Sequence, residues 1–306
     1  MYSHLVIAAT LTLCTSPDSS DWSPHKGPAL CDGRIRRGGG VSGSVDGVDP
    51  RDVLSRPADA PDLVLRYADH ADGLIDVFLP ASLGWSAEPA PLLVMLHGGF
   101  WRQEFDRTHL RPLAASLVRD GFVVATPEYR RVGGAGGWPA TGNDVTAALA
   151  ATSELIERAA PGRIDPQRAV ALAGHSAGGH LALWSGLRTD PARIARIIGL
   201  APVADLVYAA RAGMGDGAVQ ALLGGEPAHV PAAYAEADPL RLLPGRVPVT
   251  IVQGTDDKQV TVAMNRRIAS RHTDIDYVEL PGVDHFALID PLSEAFRDHV
   301  LPALRS

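Results

Sequence analysis

From about residue 60 onward, short apolar runs alternate with segments of helical periodicity, and this alternation restricts the possible folds more than any other feature of the chain. The run 92–96 is apolar throughout, which is typical of a strand buried on both faces. The runs 63–67 and 74–78 are short and alternate in polarity, which favours an antiparallel pair at a sheet edge. Strands and helices in alternation imply a mostly parallel sheet with right-handed crossovers and helices on both faces.

The same pattern gives the expected elements and their order. We predict strands at 63–67, 74–78, 92–96, 122–125, 169–172, 197–201, 249–252 and 277–280, and helices at 110–118, 143–158, from 177, 260–270 and 293–304. Residues 203–245 interrupt the rhythm, and we interpret them as a small, irregular cap insertion over one end of the sheet. Ligands of such sheets bind beyond the carboxyl ends of the strands, so we expect the functional site there.

Residues 1–58 differ in composition from the rest of the 306-residue chain. Twenty of them are Gly, Pro or Ser, and their six basic and six acidic residues cancel, so the net charge of -7 belongs to residues 59–306. So little apolar material cannot offset the entropy lost when a chain becomes ordered. We therefore predict a disordered or poorly ordered tail over residues 1–58 and one α/β domain over residues 59–306.

The charge and the hydropathy pattern restrict the partners. An acidic chain is a poor ligand for nucleic acid, whose binders carry basic patches that neutralise phosphates. No apolar run reaches the roughly 18 residues that a membrane-spanning helix needs. The apolar stretch 5–13 lacks the basic residue that precedes it in a secretory signal, since the first Lys or Arg is Lys26. We expect a cytoplasmic protein with no nucleic-acid or membrane partner, and keep secretion as the alternative.

The strongest chemical signal is Gly174-His175-Ser176-Ala177-Gly178, which follows one predicted strand and opens a predicted helix. A sharp turn in this context places a serine in a strained backbone conformation above the sheet, and the glycines two residues away on either side avoid collisions. The start of the helix also favours negative charge nearby. The motif therefore predicts Ser176 as a nucleophile.

A second glycine-rich segment, His97-Gly98-Gly99-Phe100-Trp101, directly follows the strand predicted at 92–96. An oxyanion hole needs backbone N–H groups that point at a developing negative oxygen, and glycines let the chain bend to aim them. We expect one donor from Ala177, which follows the nucleophile, and another from Gly99 or Phe100, with Gly98 permitting the bend. His97 is expected to fix this loop by hydrogen bonding.

A serine needs a base to take its proton and an acid to orient that base. In the strand–turn–helix context of Ser176 the acid precedes the histidine along the chain. Asp256 and Asp257 both follow the strand predicted at 249–252, and Asp205 is a further candidate. His285 lies on a glycine-bearing loop after the last predicted strand, where the base is expected.

These motifs resemble the α/β-hydrolase superfamily, and within it the H-G-G-x-W branch of esterases, lipases and kynurenine-formamidase-like enzymes. The resemblance covers residues 60–306 and implies the α/β-hydrolase fold, with a mostly parallel eight-stranded sheet. In related hydrolases the acid lies three residues after a glycine and three before a valine, and Gly254 and Val260 then select Asp257 over Asp256. Glu128-Tyr129-Arg130 resembles a Tyr-Arg pair with a structural role.

The resemblance and the residues together imply acyl transfer to water, with a small-molecule ester or amide as the substrate. No metal site and no cofactor is implied. Aryl formamide hydrolysis, with N-formylkynurenine as substrate, is the alternative within enzymes. A non-catalytic binding protein on the same scaffold is the alternative from another class, although such proteins typically lose one of the three catalytic residues.

Four aromatic residues flank the motif loops at the same end of the predicted sheet: Phe100, Trp101, Trp138 and Phe286. Their rings are expected to wall a compact apolar acyl pocket, with residues 203–245 covering the leaving-group side, although aromatic residues buried beneath the loops would give the same pattern. The first interpretation predicts that short-acyl esters are cleaved faster than long-chain esters.

Overall fold

The computed structural model describes residues 49–81 and 88–305, and one eight-stranded sheet runs through this part of the chain. Each strand forms where the sequence predicted one, with ends that shift by up to three residues. The strands are β1 (Leu63–Arg66), β2 (Leu74–Phe78), β3 (Leu92–Leu96), β4 (Val123–Pro127), β5 (Val170–His175), β6 (Ile194–Leu200), β7 (Val249–Gly254) and β8 (Ile275–Leu280).

The order of the strands confirms the predicted architecture. Across the sheet it is β1-β2-β4-β3-β5-β6-β7-β8. The pairs β1–β2 and β2–β4 are antiparallel, as expected for an edge, and every other neighbouring pair is parallel. The carboxyl ends of β3, β5, β7 and β8 therefore lie at one edge, and the loops that carry the predicted site residues leave the sheet there.

Eight α-helices and several short 3-10 helices connect or flank these strands in the described residues. The α-helices are α1 (Arg111–Arg119), α2 (Ala140–Ala159), α3 (Ala177–Arg188), α4 (Leu206–Arg211), α5 (Ala218–Leu223), α6 (Pro231–Ala237), α7 (Val262–Ala269) and α8 (Leu301–Arg305). A π-helical turn, Phe296–Val300, precedes α8. No helix in the described ranges is both long enough and apolar enough to span a bilayer.

The sheet has a hydrophobic core on each face because successive side chains of a strand point to opposite sides. In β3, Leu92, Val94 and Leu96 belong to one core, whereas Leu93 and Met95 belong to the other. The first core also contains buried side chains of α2, α3 and α7, and the second those of α1 and the C-terminal helix. Helices thus cover both faces, as predicted.

The cap insertion is more regular than expected. Residues 203–245 contain the three short helices α4, α5 and α6, so the prediction of an irregular segment is wrong in this respect. Leu206 and Ala209 are buried on one turn of α4, and Val219 and Leu222 are buried on one turn of α5. Apolar residues three apart lie on the same face of a helix. In helices as short as α4 and α5, this periodicity does not extend far enough to be recognised in the sequence.

The predicted tail ends earlier than residue 58. Residues 49–58 belong to the domain, which corrects the expected boundary, while residues 1–48 lie outside the described residues. A 3-10 helix, Pro50–Leu54, buries Val53 to 2% exposure in the second core. Arg56 forms a two-pronged ion pair with Asp290, whose Nη2–Oδ2 distance is 2.9 Å. Val53 and the Arg56–Asp290 ion pair therefore attach residues 49–58 to the domain, although the average composition of residues 1–58 is that of a disordered tail.

Candidate active site

Ser176 stands at a sharp turn between β5 and α3, as predicted. Its backbone has φ 56° and ψ -118°, and its exposure is only 2%. A positive φ is strained for a residue with a side chain and persists only where the surroundings enforce it. Here the Ser176 N–H donates to Leu200 O at 2.8 Å, and its carbonyl accepts from His180 N at 3.1 Å. The predicted strained turn is confirmed.

The glycines on either side of Ser176 are required by close backbone contacts. A Cβ on Gly174 would lie 2.1 Å from the carbonyl oxygen of Gly178. A Cβ on Gly178 would lie 2.2 Å from the carbonyl oxygen of Leu96, at the end of β3. Neither position accommodates a side chain, so the two glycines allow the turn to pack against the neighbouring strand.

His285 and Asp257 meet in the interior beside this turn. The Nδ1 of His285 lies 2.7 Å from Oδ2 of Asp257, and both residues are buried. The Asp257 carboxylate also accepts backbone N–H bonds from Gln259 and Val260, each 2.8 Å long, and a bond from Gln253 Nε2 at 3.1 Å. These donors fix the carboxylate so that it receives the Nδ1 proton of His285, which leaves Nε2 as the basic nitrogen.

The two other acidic candidates are placed differently. Asp256 is exposed, and its carboxylate accepts a 3.1 Å bond from the hydroxyl of Thr255. Asp205 caps α4, where its Oδ1 accepts from Tyr208 N at 2.8 Å. The spacing that selected Asp257 from the resemblance therefore agrees with the observed contact to His285.

The loop after β3 presents free backbone donors. Gly99, Phe100 and Trp101 have φ values of 107°, 49° and 56°, and the turn is closed by a 3.0 Å bond from Arg102 N to Gly99 O. In the described part of the chain, the N–H groups of Gly99, Phe100 and Ala177 have no hydrogen-bond acceptor. Gly98 packs against the serine turn, since a Cβ there would lie 3.2 Å from Ser176 Cβ. These N–H groups are therefore free to donate to a ligand, as the donors of an oxyanion hole must be.

His97 supports this loop, as the sequence indicated. Its Nδ1 lies 2.9 Å from the carbonyl oxygen of Gly98, and its Nε2 lies 2.7 Å from Oε1 of Glu128. The Tyr129 hydroxyl donates to His97 O at 2.8 Å, and the two rings stack at 4.3 Å. Arg130 pairs with Asp144. The Glu-Tyr-Arg segment thus has the structural role that the resemblance implied.

His175 and His109 were not singled out from the sequence, yet both line the same cavity as Ser176. His175 Nε2 donates to the carbonyl oxygen of His285 at 3.0 Å, and the two rings lie 4.3 Å apart. Burial lowers the pKa of His175 well below its usual range, and the neighbouring His285 lowers it further. Burial also lowers the pKa of His109 to about 3. Both imidazoles are therefore neutral beside the base. The sequence feature that could have identified His175 as a site residue is its position between Gly174 and Ser176.

These residues surround a cavity of about 280 Å³. Its lining comprises Arg51, Leu54, Gly98, Gly99, Phe100, Arg102, Glu104, Phe105, His109, His175, Ser176, Gly215, Asp216, Gln259, His285 and Phe286. Gly215 and Asp216 come from the cap, where Arg102 donates to both of their carbonyl oxygens. The cavity lies beyond the carboxyl ends of the strands, where ligands of such sheets bind.

Only two of the four predicted pocket aromatics, Phe100 and Phe286, line this cavity among the described residues. Trp101 is fully buried in the first core, with its ring edge-on to His180 at 5.3 Å. Trp138 packs edge-on against Trp184 at 4.7 Å. The predicted pocket role is therefore wrong for both tryptophans: they pack beneath the loops, as the alternative interpretation held.

A larger hollow of about 790 Å³ lies at the opposite end of the sheet, before the first residues of β5 and β6. It is lined by α2 and by charged side chains such as Glu154, Arg168 and Arg188, and it contains none of the predicted site residues. In the described ranges, no three His, Cys, Asp or Glu side chains are grouped so that they could hold a metal ion. The chemistry-bearing side chains converge in the smaller cavity.

Solved structures with a similar fold include esterases. Esterase B from Lactobacillus rhamnosis superposes with a TM-score of 0.66 at 17% identity, over 84% of this chain and 88% of that one. The thermophilic esterase Est2 from Thermogutta terrifontis superposes with a TM-score of 0.61 at 20% identity, over 82% of this chain and 94% of that one. These likenesses confirm the α/β-hydrolase fold that the sequence motifs implied.

Two sequence comparisons point the same way. Esterase LipC from Mycobacterium tuberculosis is 25% identical over 246 residues, which are 73% of this chain and 59% of LipC. The chain thus spans 59% of the length of this curated relative. The BD-FAE family model matches residues 75–271, a range that includes Ser176 and Asp257 and ends before His285. Because this match covers more than half of the chain, the chain belongs to the BD-FAE family.

Proposed function

We propose that this member of the BD-FAE family is a serine carboxylesterase of the H-G-G-x-W type that hydrolyses short-acyl esters through an acyl-enzyme. Ser176 is the nucleophile, His285 the base and Asp257 the acid that orients it. The N–H groups of Ala177 and of Gly99 or Phe100 hold the oxyanion. The names of LipC and esterase B refer to ester hydrolysis and support this reaction class.

One arrangement carries this function: His285, whose Nδ1 lies 2.7 Å from the buried carboxylate of Asp257, lines the same cavity as Ser176 on its strained turn. A carboxylate on Nδ1 holds the imidazole in the tautomer whose Nε2 accepts a proton, and it stabilises the imidazolium that forms. The neutral His175 adds no positive charge beside that imidazolium. His285 can therefore take the proton of Ser176 and become positively charged without electrostatic repulsion from His175.

In the first half of the reaction, Ser176 Oγ attacks the ester carbonyl carbon while His285 Nε2 takes the hydroxyl proton. The carbonyl oxygen becomes negative and accepts hydrogen bonds from the free N–H groups of the turn and the loop. A positioned base and an oxyanion donor each contribute factors of about a hundred or more in rate. The tetrahedral intermediate collapses when His285 returns its proton to the leaving alcohol.

In the second half, water attacks the acyl-enzyme. His285 takes a proton from the water, the same donors hold the second oxyanion, and Ser176 leaves with the proton from His285. The products are a carboxylic acid and the regenerated serine, so the reaction uses only ester and water.

The size of the cavity supports a preference for short acyl groups. Its volume of about 280 Å³ lies just below the about 300–1,000 Å³ that is usual for ligand pockets. Phe100 and Phe105 supply rigid apolar walls for the acyl group. A long acyl chain would have to leave this cavity and lie on the surface.

The test is activity and labelling of Ser176→Ala. We expect it to lose hydrolysis of aryl acetates and labelling by a fluorophosphonate, while it keeps the melting temperature of the parent. Ser270→Ala, which removes an exposed serine after α7, is the matched control and should behave as the parent. Retained turnover in Ser176→Ala, or labelling at another residue, would contradict the assignment.

The acyl preference is tested by specificity constants for acetyl, butyryl, octanoyl and palmitoyl aryl esters. We expect the maximum at acetyl or butyryl. A maximum at octanoyl or beyond would contradict the compact pocket and indicate an open acyl groove.

A further inference from the structure

The segment 49–56, called here the N-terminal wall, lies outside the range 75–271 that matches the family model. It was also outside the domain expected from the sequence. Two of its side chains, Arg51 and Leu54, nevertheless line the cavity that contains Ser176 and His285. The wall is therefore part of the site, although no sequence motif indicated it.

The wall is held in place at three points. Asp49 caps the 3-10 helix, with its Oδ1 accepting from Arg51 N at 2.9 Å. Val53, 2% exposed, packs in the second core, and the 3-10 helix contacts the next one, Arg107–Leu110, which carries His109. Arg56 Nη2 donates to Asp290 Oδ2 at 2.9 Å. Because Asp290 lies just beyond His285 in sequence, this ion pair ties the wall to the segment that carries the base.

The position of the wall relative to His285 indicates which part of an ester it meets. His285 must return its proton to the leaving oxygen, which has to lie within hydrogen-bond reach of the imidazole, about 2.6–3.2 Å. The alcohol group therefore occupies the side of the cavity next to His285. Phe286 packs edge-on against the His285 ring with centroids 5.2 Å apart, and the guanidinium carbon of Arg51 lies 6.0 Å from the Phe286 ring centre.

We propose that the N-terminal wall limits the size of the alcohol group, so that the enzyme acts on esters of compact alcohols or phenols. Half-buried Leu54 supplies the apolar surface that stops a longer group, and exposed Arg51 closes the rim over Phe286. This inference rests on the proposed esterase function and names the part of the substrate that residues 49–56 select. The other side of the cavity, formed by Phe100, Arg102 and the cap, receives the acyl group, so this proposal places the cap on the acyl side and not on the leaving-group side expected from the sequence.

The experiment measures kcat/KM of the 306-residue chain and its variants for methyl, butyl and octyl acetate. In Leu54→Ala we expect the octyl-to-methyl ratio to rise about tenfold, since a few methylene groups in a pocket change specificity by that much. In Arg51→Ala, which removes an exposed side chain and spares the core, the ratio should rise severalfold. Leu54→Trp should lower the butyl-to-methyl ratio.

The matched control is Leu292→Ala, which removes a leucine that is 69% exposed and lies outside the cavity. Its ratios should equal those of the parent. The methyl esters of acetic, butyric and octanoic acid form the second series, in which Leu54→Ala should keep the ratios of the parent.

Unchanged octyl-to-methyl ratios in both Leu54→Ala and Arg51→Ala would overturn the proposal that the N-terminal wall limits the alcohol group. A change confined to the acyl series would overturn it as well. Hydrolysis by the parent and labelling of Ser176 are measured first. A parent that cleaves no ester and is not labelled overturns the proposed function together with the wall. If the parent is active and labelled but the variants keep its alcohol ratios, only the proposed role of the N-terminal wall is overturned.

Discussion

Asp257 and His285 are 28 positions apart in sequence and meet through a 2.7 Å contact between Oδ2 and Nδ1. The carboxylate is not free to turn away, because its Oδ1 accepts two backbone N–H bonds from the loop that follows it. The neighbouring Asp256 is exposed and accepts only from Thr255 within the described residues. One position along the chain therefore separates a buried orienting group from a surface carboxylate.

Replacing these two aspartates separately tests that difference. Asp257→Asn should lower kcat by several orders of magnitude, because an amide no longer enforces the tautomer in which Nε2 is basic. Asp256→Asn is the matched control and should stay within a few-fold of the parent. The measurement is steady-state hydrolysis of an aryl acetate by both variants, and the reverse ranking would move the orienting role to Asp256.

The contact between the oxyanion loop and the serine turn gives a second prediction. A Cβ on Gly98 would lie 3.0 Å from His175 O and 3.2 Å from Ser176 Cβ, so the loop or the turn has to shift by a few tenths of an ångström. Such a shift separates the N–H donors from the position of the oxyanion. Gly98→Ala should therefore lower kcat tenfold or more, with little change in melting temperature.

Gly121→Ala should give the opposite result. Gly121 has φ 91°, a Cβ there would meet nothing within 4 Å, and it lies in the turn before β4, away from the cavity. An alanine at positive φ costs about 1 kcal/mol in the free energy of unfolding. This variant should lose stability and keep its activity per folded molecule. Equal losses of activity in both variants would contradict a specific role for Gly98.

Local motifs made most of the fold and the central site residues predictable. Apolar or alternating runs located all eight strands of the sheet. The Gly174–Gly178 motif located the turn because a Cβ on either glycine would lie only 2.1 Å or 2.2 Å from a carbonyl oxygen. Such contacts are fixed by sequence neighbours and one adjacent strand. His285 was located by its place after the last strand, which the topology alone determines.

Side-chain direction and short anchors were not predictable in the same way. Phe100 and Trp101 are adjacent in the same loop, yet one lines the cavity and the other is fully buried against His180. The sequence does not specify which way each ring turns when two consecutive residues have positive φ. The average composition of residues 1–58 likewise concealed Val53 and Arg56, whose partners lie far away in the sequence.

The contribution of Val53 to stability is a third prediction. Val53→Ala removes buried methyl groups from the second core and should lower the free energy of unfolding by about 1–3 kcal/mol. Val64→Ala is the matched control, because Val64 is 54% exposed on β1 and should change stability by less than about 0.5 kcal/mol. Urea unfolding measures both. Equal, small effects would show that residues 49–58 do not contribute to the stability of the domain.

The buried histidines predict how stability depends on pH. Burial lowers the pKa of His180 from 6.5 to about 4, while its Nε2 donates to Ala237 O at 2.9 Å. Between about pH 4 and 6.5 the unfolded chain therefore binds a proton that the folded chain does not. The free energy of unfolding should fall as the pH falls through this window, by up to about 1.4 kcal/mol per pH unit for each such histidine. His109, with its pKa lowered to about 3, contributes in the same direction.

His180→Gln isolates one of these protons. A glutamine amide retains a donor for Ala237 O and does not titrate, so the slope of unfolding free energy against pH should become shallower by about one proton between pH 4.5 and 6. Above pH 7 the neutral imidazole carries no such penalty, and this variant should there show only the cost of altered packing. His299→Gln, at an exposed histidine near the C-terminus, is the matched control and should keep the slope of the parent. Urea unfolding at half-unit pH steps from 4.5 to 7.5 measures both slopes. A slope in His180→Gln equal to that of the parent would show that His180 already carries its proton in the folded state.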